Sequence, residues 1–475
     1  MPIDSHFRYE DVVGFVASLI NKGALPVGAR APSLRQICKQ RRVSLATALR
    51  AYGVLEDRGL LEARPQSGYY VASNDASSLP TPGLTQPRAG ATVVEVSTLW
   101  VQLLEHASDP KLAPLGCAVP SASLLKAGRL DRFLSRAARV KGVASNIYTV
   151  PRGDPKLRRE IARRALRWGQ ELSPEDIVIT SGCTEALILA LRTVARPGDT
   201  VAIESPTFFG LLHALQVLNL KAIELPTDAT TGVDLKALRR VLSRARVSAC
   251  LLSSSFNNPL GCTMPDTNKA ELLQLLAKHD IPLIEDDIYG DIYFGAERPK
   301  PFMSLAGRGN RILYCTSFSK TIAPGYRLGW LATTRYMQSV LDHKLATTLC
   351  GPVLPQVAFA DYLSSGGYDN HLRRMRRTFA QNVDHAIRVI DRSFPSSTKV
   401  TRPAGGFVLW LELPRLVNSR ELLNQALKSG ICFIPGELFS ASGQYRNCLR
   451  LSCGHEWGPR IEKAIETLGA LVTAA

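Results

Sequence analysis

From residue 95 onward, strand-length apolar runs such as Ile177-Val-Ile-Thr, Thr200-Val-Ala-Ile and Ile281-Pro-Leu-Ile alternate with amphipathic stretches such as Leu187 to Val194 and Ala270 to His279. Regular alternation of this kind argues for a mostly parallel α/β sheet covered by helices. After about residue 360, Arg-rich helical sequence gives way to Gly405-Gly-Phe-Val-Leu-Trp-Leu-Glu-Leu and Cys448-Leu-Arg-Leu-Ser, which predicts a small α+β lobe over about 360–475.

The first seventy or so residues have a different rhythm: helical periodicity that ends in a short aromatic strand, Gly68-Tyr-Tyr-Val. Between Val71 and Val93 the chain is rich in Ser, Pro and Gly, a linker composition. The expected organisation is therefore a domain over 1–72, a linker over 73–94 and a large domain over 95–475, in keeping with a chain of 475 residues being too long for one ordinary core.

The formal charge is +17, from 58 Lys+Arg against 41 Asp+Glu, which favours anionic ligands or polyanionic partners without choosing among them. Ten cysteines are scattered without any Cys-x-x-Cys, and Cys448 and Cys453 lack zinc-ligand spacing, so neither a metal site nor a disulfide framework is expected. With no apolar signal core and no apolar run of the roughly eighteen residues a membrane span needs, the expectation is a cytoplasmic protein with free thiols and no membrane partner.

Two helix starts stand close together in the first domain, at Ser33 before Leu-Arg-Gln-Ile-Cys-Lys-Gln and at Ser44 before Leu-Ala-Thr-Ala-Leu-Arg-Ala-Tyr. Each serine can cap its helix, and the short Arg41-Arg42-Val43 connection forces a tight helix-turn-helix with Val43, Ala48, Tyr52 and Leu55 facing a core. The second helix would enter the major groove of double-stranded DNA by its N-terminus. That brings Ser44, Leu45, Ala46 and Thr47 to base edges and places Arg35, Arg41, Arg42 and Arg50 for phosphates or guanine, with Gly59 and Gly68-Tyr-Tyr-Val making a wing. Spacing alone leaves open a small helical adaptor whose arginines are merely solvated.

In the large domain, Cys315-Thr-Ser-Phe-Ser-Lys-Thr-Ile-Ala-Pro-Gly-Tyr-Arg sets Ser317, Ser319, Lys320 and Arg327 around a Pro-Gly turn. A nucleophilic lysine beside hydroxyls and a second cation suits an aldehyde cofactor with a phosphate: Lys320 can form the Schiff base, Ser317 and Arg327 can bind phosphate, and Arg327 helps depress the lysine pKa by like-charge repulsion, whereas this motif without the others fits a surface lysine better. Ile281-Pro-Leu-Ile-Glu-Asp-Asp-Ile-Tyr leaves Asp286 and Tyr289 at a strand's carboxyl end, where open α/β sheets bind ligands. There Asp286 can hold a ring nitrogen protonated and Tyr289 can bond the ring's 3-oxygen; a helix-capping carboxylate is an alternative that fits Glu285 or Asp287 at least as well. Backbone N–H groups of Gly182, Cys183 and Thr184 at a helix start suit a phosphate, Phe208 can stack on a ring, and Asn258 can share the 3-oxygen with Tyr289.

Residues 7 to 72, through Leu25-Pro-Val-Gly-Ala-Arg-Ala-Pro-Ser-Leu-Arg, Val43-Ser44 and Ser67-Gly-Tyr-Tyr-Val, resemble the winged helix-turn-helix of GntR-type transcription factors, departing where Leu45 replaces a common Arg. Roughly residues 95 to 475 resemble the fold-type I enzymes of the class I/II aminotransferase family, which use pyridoxal 5'-phosphate. The whole looks like the MocR subfamily. The resemblance implies Lys320, Asp286 and Tyr289 as the catalytic set, and Asn258, Phe208, Ser317, Arg327, Gly182, Cys183 and Thr184 as cofactor contacts. It also implies Arg450 for a substrate carboxylate and Tyr148 reaching the partner's cofactor phosphate in a homodimer; a Tyr packed in its own loop is an equal alternative for Tyr148. The implied function is a DNA-binding regulator that senses pyridoxal phosphate or a small amino compound, its effector, through an aldimine at Lys320. The alternative is a working aminotransferase with an accessory DNA-binding domain.

Overall fold

The computed structural model describes residues 8–26, 28–57, 60–64, 67–71, 78–96, 99–106, 109–125, 128–307 and 309–475. The chain divides into two compact units, Met1–Ser78 and Leu79–Ala475.

In the first unit, α1 (Arg8–Asn21), α2 (Leu34–Arg41) and α3 (Leu45–Asp57) precede an antiparallel hairpin of β1 (Leu61–Arg64) and β2 (Gly68–Val71). Ser33 accepts from Gln36 N while the Gln36 side chain accepts from Ser33 N, a capping box that satisfies two otherwise orphaned donors. Ser44 caps α3 by accepting from Thr47 N at 3.1 Å. The turn between the helices closes at Arg42, which takes a left-handed backbone (φ 54°) and donates its N–H to Cys38 O. Ala48, Tyr52 and Leu55, spaced i, i+4, i+7, are buried together against Val12 and Val16 of α1, Ile37 of α2, and Leu61 and Val71 of the hairpin, with Val43 packed partly against them. The Tyr52 hydroxyl donates to Pro32 O at 2.6 Å and its ring meets Tyr69 edge-on. The wing role assigned to Gly59 lies outside the described residues.

The second unit is built on a sheet ordered β3 (Ala91–Val93), β6 (Lys221–Asp228), β5 (Thr200–Ser205), β8 (Ala249–Leu252), β9 (Leu283–Asp286), β10 (Ile312–Ser317), β11 (Gly329–Ala332), β4 (Ile177–Thr180), with β7 (Gly232–Val233) on β6. From β6 through β10 the pairing is parallel; β3 and β11 run against their neighbours. Alternate residues of each strand feed two separate cores. Ile177 and Ile179, Ala202, Cys250 and Tyr314 face one; Val178, Val201 and Ile203, Leu251 and Leu313 face the other. A parallel sheet with both faces covered therefore reads as unbroken apolar runs.

The small lobe is an antiparallel sheet, β12 (Lys399–Val400), β13 (Val408–Glu412), β15 (Cys448–Ser452) and β14 (Ile434–Pro435), under the helices Gly367–Ser393 and Pro459–Ala474. Two expectations are corrected here. The lobe is not confined to the chain after residue 360, because Leu79, Leu103, Ala113, Leu115 and Leu125 are buried in the same core as Phe379, Trp410 and Leu468. Residues 79–94 are not a free linker: Leu79 is buried, Thr85 Oγ1 donates to Ser205 O at 2.6 Å and accepts from Thr227 N at 2.8 Å, and β3 pairs with β6. Pro80, Pro82, Gly83, Pro87 and Gly90 thus belong to a docked segment rather than a slack one, while 73–77 lie outside the described residues. Among the described residues no helix is long and apolar enough to cross a membrane.

Candidate functional site

The carboxyl ends of β5, β8, β9 and β10 open on one cavity of about 330 Å³. Each end delivers part of the wall: Phe208 after β5, Ser253, Ser255 and Asn258 after β8, Asp286 closing β9, and Ser317, Ser319 and Lys320 after β10. Cys183 and Thr184, in the first turn of the helix Gly182–Val194 that follows β4, line it too, as do Tyr289, Arg327 and Arg450. All of the candidate cofactor and substrate residues except Gly182 and Tyr148 thus line one space.

Gly182 stands just behind that wall with φ +80°, and a Cβ there would lie 3.0 Å from Arg327 Cζ and closer still to its Nη2. The Arg327 guanidinium reaches back to Ser181 O at 3.1 Å and to Ser319 Oγ at 3.5 Å, while Ser319 N donates to Ser317 Oγ. One guanidinium, two hydroxyls and a helix N-terminus therefore converge, an arrangement suited to a dianion.

The three consecutive carboxylates separate by the alternation of β9. Glu285 turns away and accepts from Phe302 N and Met303 N, capping the short helix Phe302–Leu305. Asp287 pairs with Arg298 and accepts from the Tyr314 hydroxyl at 2.5 Å. Asp286 alone faces the cavity, with Cys183 Sγ donating to it at 3.6 Å and Ile288 N at 3.3 Å. Burial pushes its carboxyl up to about 6, so it is ionised at neutral pH but holds that charge at a cost.

Lys320 Nζ donates to Ala118 O at 2.7 Å. Its ammonium is pushed down to about 8, first by burial; Arg450 and Arg327 add to the depression, opposed by Cys117 and Asp286. The like-charge effect of Arg327 expected from sequence is present, but it is smaller than that of burial. Tyr289 is buried and its hydroxyl has no partner among the described residues. Burial of that phenol raises its pKa.

Arg450 sits in β15, only 2% exposed, opposite Trp410 and Ile434 in the lobe sheet. It donates to Asn258 Oδ1 at 3.2 Å and to Gly116 O, and its Nε is buried without a partner. Asn258 is thus tied to the arginine, a link the sequence did not suggest. Tyr148 stands apart from the cavity and is 82% exposed, in a run with Val140, Val143, Ile147 and Val150, which are also exposed.

Sequence reasoning overlooked the loop Gly116–Val119, whose backbone carbonyls hold both Arg450 and Lys320, because a loop without charged side chains carries no signal. It also gave no role to Glu204, buried in the wall and pushed up to about 8 by burial. In the first unit, Arg35, Arg41, Arg42, Ser44, Arg50 and Gly68 are exposed and Thr47 is half-buried, its hydroxyl 2.8 Å from that of Ser44. Arg41 lies over the Phe15 ring and Arg50 over the Tyr9 ring. Leu45 is 54% exposed on α3, and the unassigned Arg30 guanidinium lies against Gly68 in the hairpin.

Residues 122–468 match the aminotransferase class I and II family, and residues 8–71 match the bacterial regulatory proteins of the gntR family. The chain is 37% identical over 465 residues to the HTH-type transcriptional regulator YdcR of Escherichia coli (strain K12), covering 98% of this chain and 99% of that one. It is 30% identical over 366 residues to the 2-aminoadipate transaminase of Thermus thermophilus, covering 76% of this chain and 90% of that enzyme. Among solved structures, it resembles LysN, the alpha-aminoadipate aminotransferase of Thermus thermophilus complexed with N-(5'-phosphopyridoxyl)-L-leucine, with a TM-score of 0.74 and 28% identity over 80% of this chain and 95% of LysN. Both halves are matched in one continuous relative, and the aminotransferase family is pyridoxal-phosphate dependent. The chain therefore belongs to the class I and II aminotransferase family in its MocR form, a transcription regulator with a GntR DNA-binding domain fused to an aminotransferase-like domain.

Proposed function

We propose that the protein regulates transcription from double-stranded DNA in the cytoplasm by holding pyridoxal 5'-phosphate on Lys320 and sensing a small amino compound there. The observation that carries this reading is one cavity lined together by a lysine of depressed pKa, an ionised aspartate, a phenol without a partner among the described residues and a buried arginine.

The residues fit the cofactor. Arg327, Ser317, Ser319 and the N–H groups of Gly182, Cys183 and Thr184 would hold its phosphate; Asp286 would meet its ring nitrogen, Tyr289 and Asn258 its 3-oxygen, and Phe208 its face. When bound, the cofactor supplies an electrophilic carbon and an electron-withdrawing ring. Lys320, nearer neutrality than an ordinary lysine, is available as a nucleophile at physiological pH. Asp286 would keep a proton on the ring nitrogen, and Arg450, a cation in the cavity wall, would bind a carboxylate.

Exposed Val140, Val143, Ile147 and Tyr148 support a homodimer in which Tyr148 completes the partner's site. Coupling to DNA requires the effector to bind two conformations with different affinity. A second reading, a working aminotransferase, is favoured by the presence of Lys320, Asp286, Asn258 and Arg450 in the same cavity. The test is the absorbance of purified protein with pyridoxal phosphate, for wild type and Lys320→Ala, followed by amino-acid addition and DNA-binding assays. A band absent from the variant, with DNA affinity changed by an amino compound and no sustained exchange with a 2-oxo acid, establishes the sensor. No band refutes cofactor binding; repeated exchange without an effect on DNA makes the protein an enzyme first.

A further inference from the structure

We propose that the effector is an α-amino acid with a large apolar or aromatic side chain, received by a wall that runs from Arg450 to Trp100; this rests on the cofactor-site reading above. Arg450 supplies one fixed end. Phe209 and Trp100 line the cavity with ring centroids 6.3 Å apart, and Phe439, fully buried in the lobe core, backs that wall 5.6 Å from Phe209 and 5.4 Å from the Arg450 guanidinium. Ile434 lies directly across from Arg450 in the lobe sheet and lines the same cavity. Trp100 and Leu103, three residues apart on α4 (Leu99–His106), both face that cavity, and Trp100 remains half-buried. A ligand whose carboxylate lies on Arg450 thus extends its side chain along aromatic and aliphatic surface.

The charges around the cavity sharpen the class. Among the described residues its lysines and arginines are Lys320, Arg327 and Arg450, each already engaged at the cofactor and carboxylate end. Among the described residues of the cavity no further lysine or arginine is present to balance a second carboxylate, and an unpaired charge against apolar wall is strongly disfavoured. His213, whose ring lies 5.1 Å from that of Trp100, offers a hydrogen-bonding edge instead. Dicarboxylic amino acids are therefore poor ligands, and those with bulky apolar groups are good ones.

The test is a spectral titration of the full-length protein loaded with pyridoxal phosphate, using L-phenylalanine, L-leucine, L-alanine, L-aspartate, L-lysine and 4-aminobutyrate. L-phenylalanine and L-leucine should perturb the band at concentrations at least tenfold below L-aspartate, L-lysine or 4-aminobutyrate. Trp100→Ala should shrink the ratio between L-phenylalanine and L-alanine by about tenfold, and Trp100→Phe should restore most of it. If L-aspartate, L-lysine or 4-aminobutyrate acts at equal or lower concentration, or no amino acid perturbs the band, or Trp100→Ala leaves the ratio intact, the effector class is wrong while the cofactor site stands. If no Lys320-dependent band forms at all, the cofactor reading itself fails and takes this one with it.

Discussion

Gly182 and Arg327 are packed so closely that a Cβ on the glycine would stand 3.0 Å from the arginine's Cζ and closer still to its Nη2. The glycine is also at φ +80°, where an L side chain costs about 1 kcal/mol. Gly182→Ala must therefore displace Arg327 from Ser181 O and Ser319 Oγ. We expect affinity for pyridoxal phosphate to fall at least tenfold, measured by equilibrium dialysis, with far-ultraviolet circular dichroism unchanged. Retained affinity would place the phosphate elsewhere.

On the proposed reading, capture of pyridoxal phosphate would need the neutral amine of Lys320, whose ammonium is pushed down to about 8. The rate of band formation should accordingly rise with pH around a midpoint near 8, rather than near the ordinary lysine value of about 10.4. The stability of the cofactor-free protein should follow the same group. Because the folded state releases this proton before the unfolded chain does, the penalty for burying the ammonium is present in full below about 8 and is relieved as pH climbs toward the unfolded value. Lys320→Met should remove that upward slope, as followed by urea denaturation between pH 7 and 10.

Arg42, proposed above as a DNA contact, has a left-handed backbone at φ 54°. Arg42→Gly should relieve backbone strain by a few tenths of a kcal/mol to about 1 kcal/mol while weakening DNA binding and lowering the salt dependence of log K by about one. Arg35→Ala should weaken DNA binding similarly without the stabilisation. Arg50→Ala should reduce both binding and stability, since the side chain also covers the Tyr9 ring. Hydrogen exchange of the α2 and α3 amides in the full chain separates the two effects.

Val143 is 79% exposed, five residues before Tyr148 in the chain. If this run joins two copies, Val143→Asp should shift sedimentation toward monomer and lower cofactor affinity in parallel. Tyr148→Phe should lower cofactor affinity alone, about tenfold, by removing one phosphate contact. A wild-type monomer with full cofactor affinity would overturn the partner role of Tyr148.

Local chemistry was legible in the chain itself. Ser33 and Ser44 announced their helices because a cap and its partner lie within three residues, and Ala48, Tyr52 and Leu55 announced a core because a helix face repeats along the sequence. The apolar runs at Ile177, Thr200 and Ile281 marked a parallel sheet, and its carboxyl ends pointed to where a ligand would sit. What only the tertiary structure decided are contacts between distant segments. Lys320 meets Ala118 across 202 positions and Arg450 meets Gly116 across 334, and neither carbonyl has a side chain to mark it. The docking of Leu79 into the lobe and of β3 onto the sheet was likewise hidden, since Ser, Pro and Gly spell the same composition whether a segment is slack or pinned by partners far along the chain. The sorting of Glu285, Asp286 and Asp287 lay between these cases: alternation along a strand was foreseeable, but which face was the cavity depended on the sheet's neighbours.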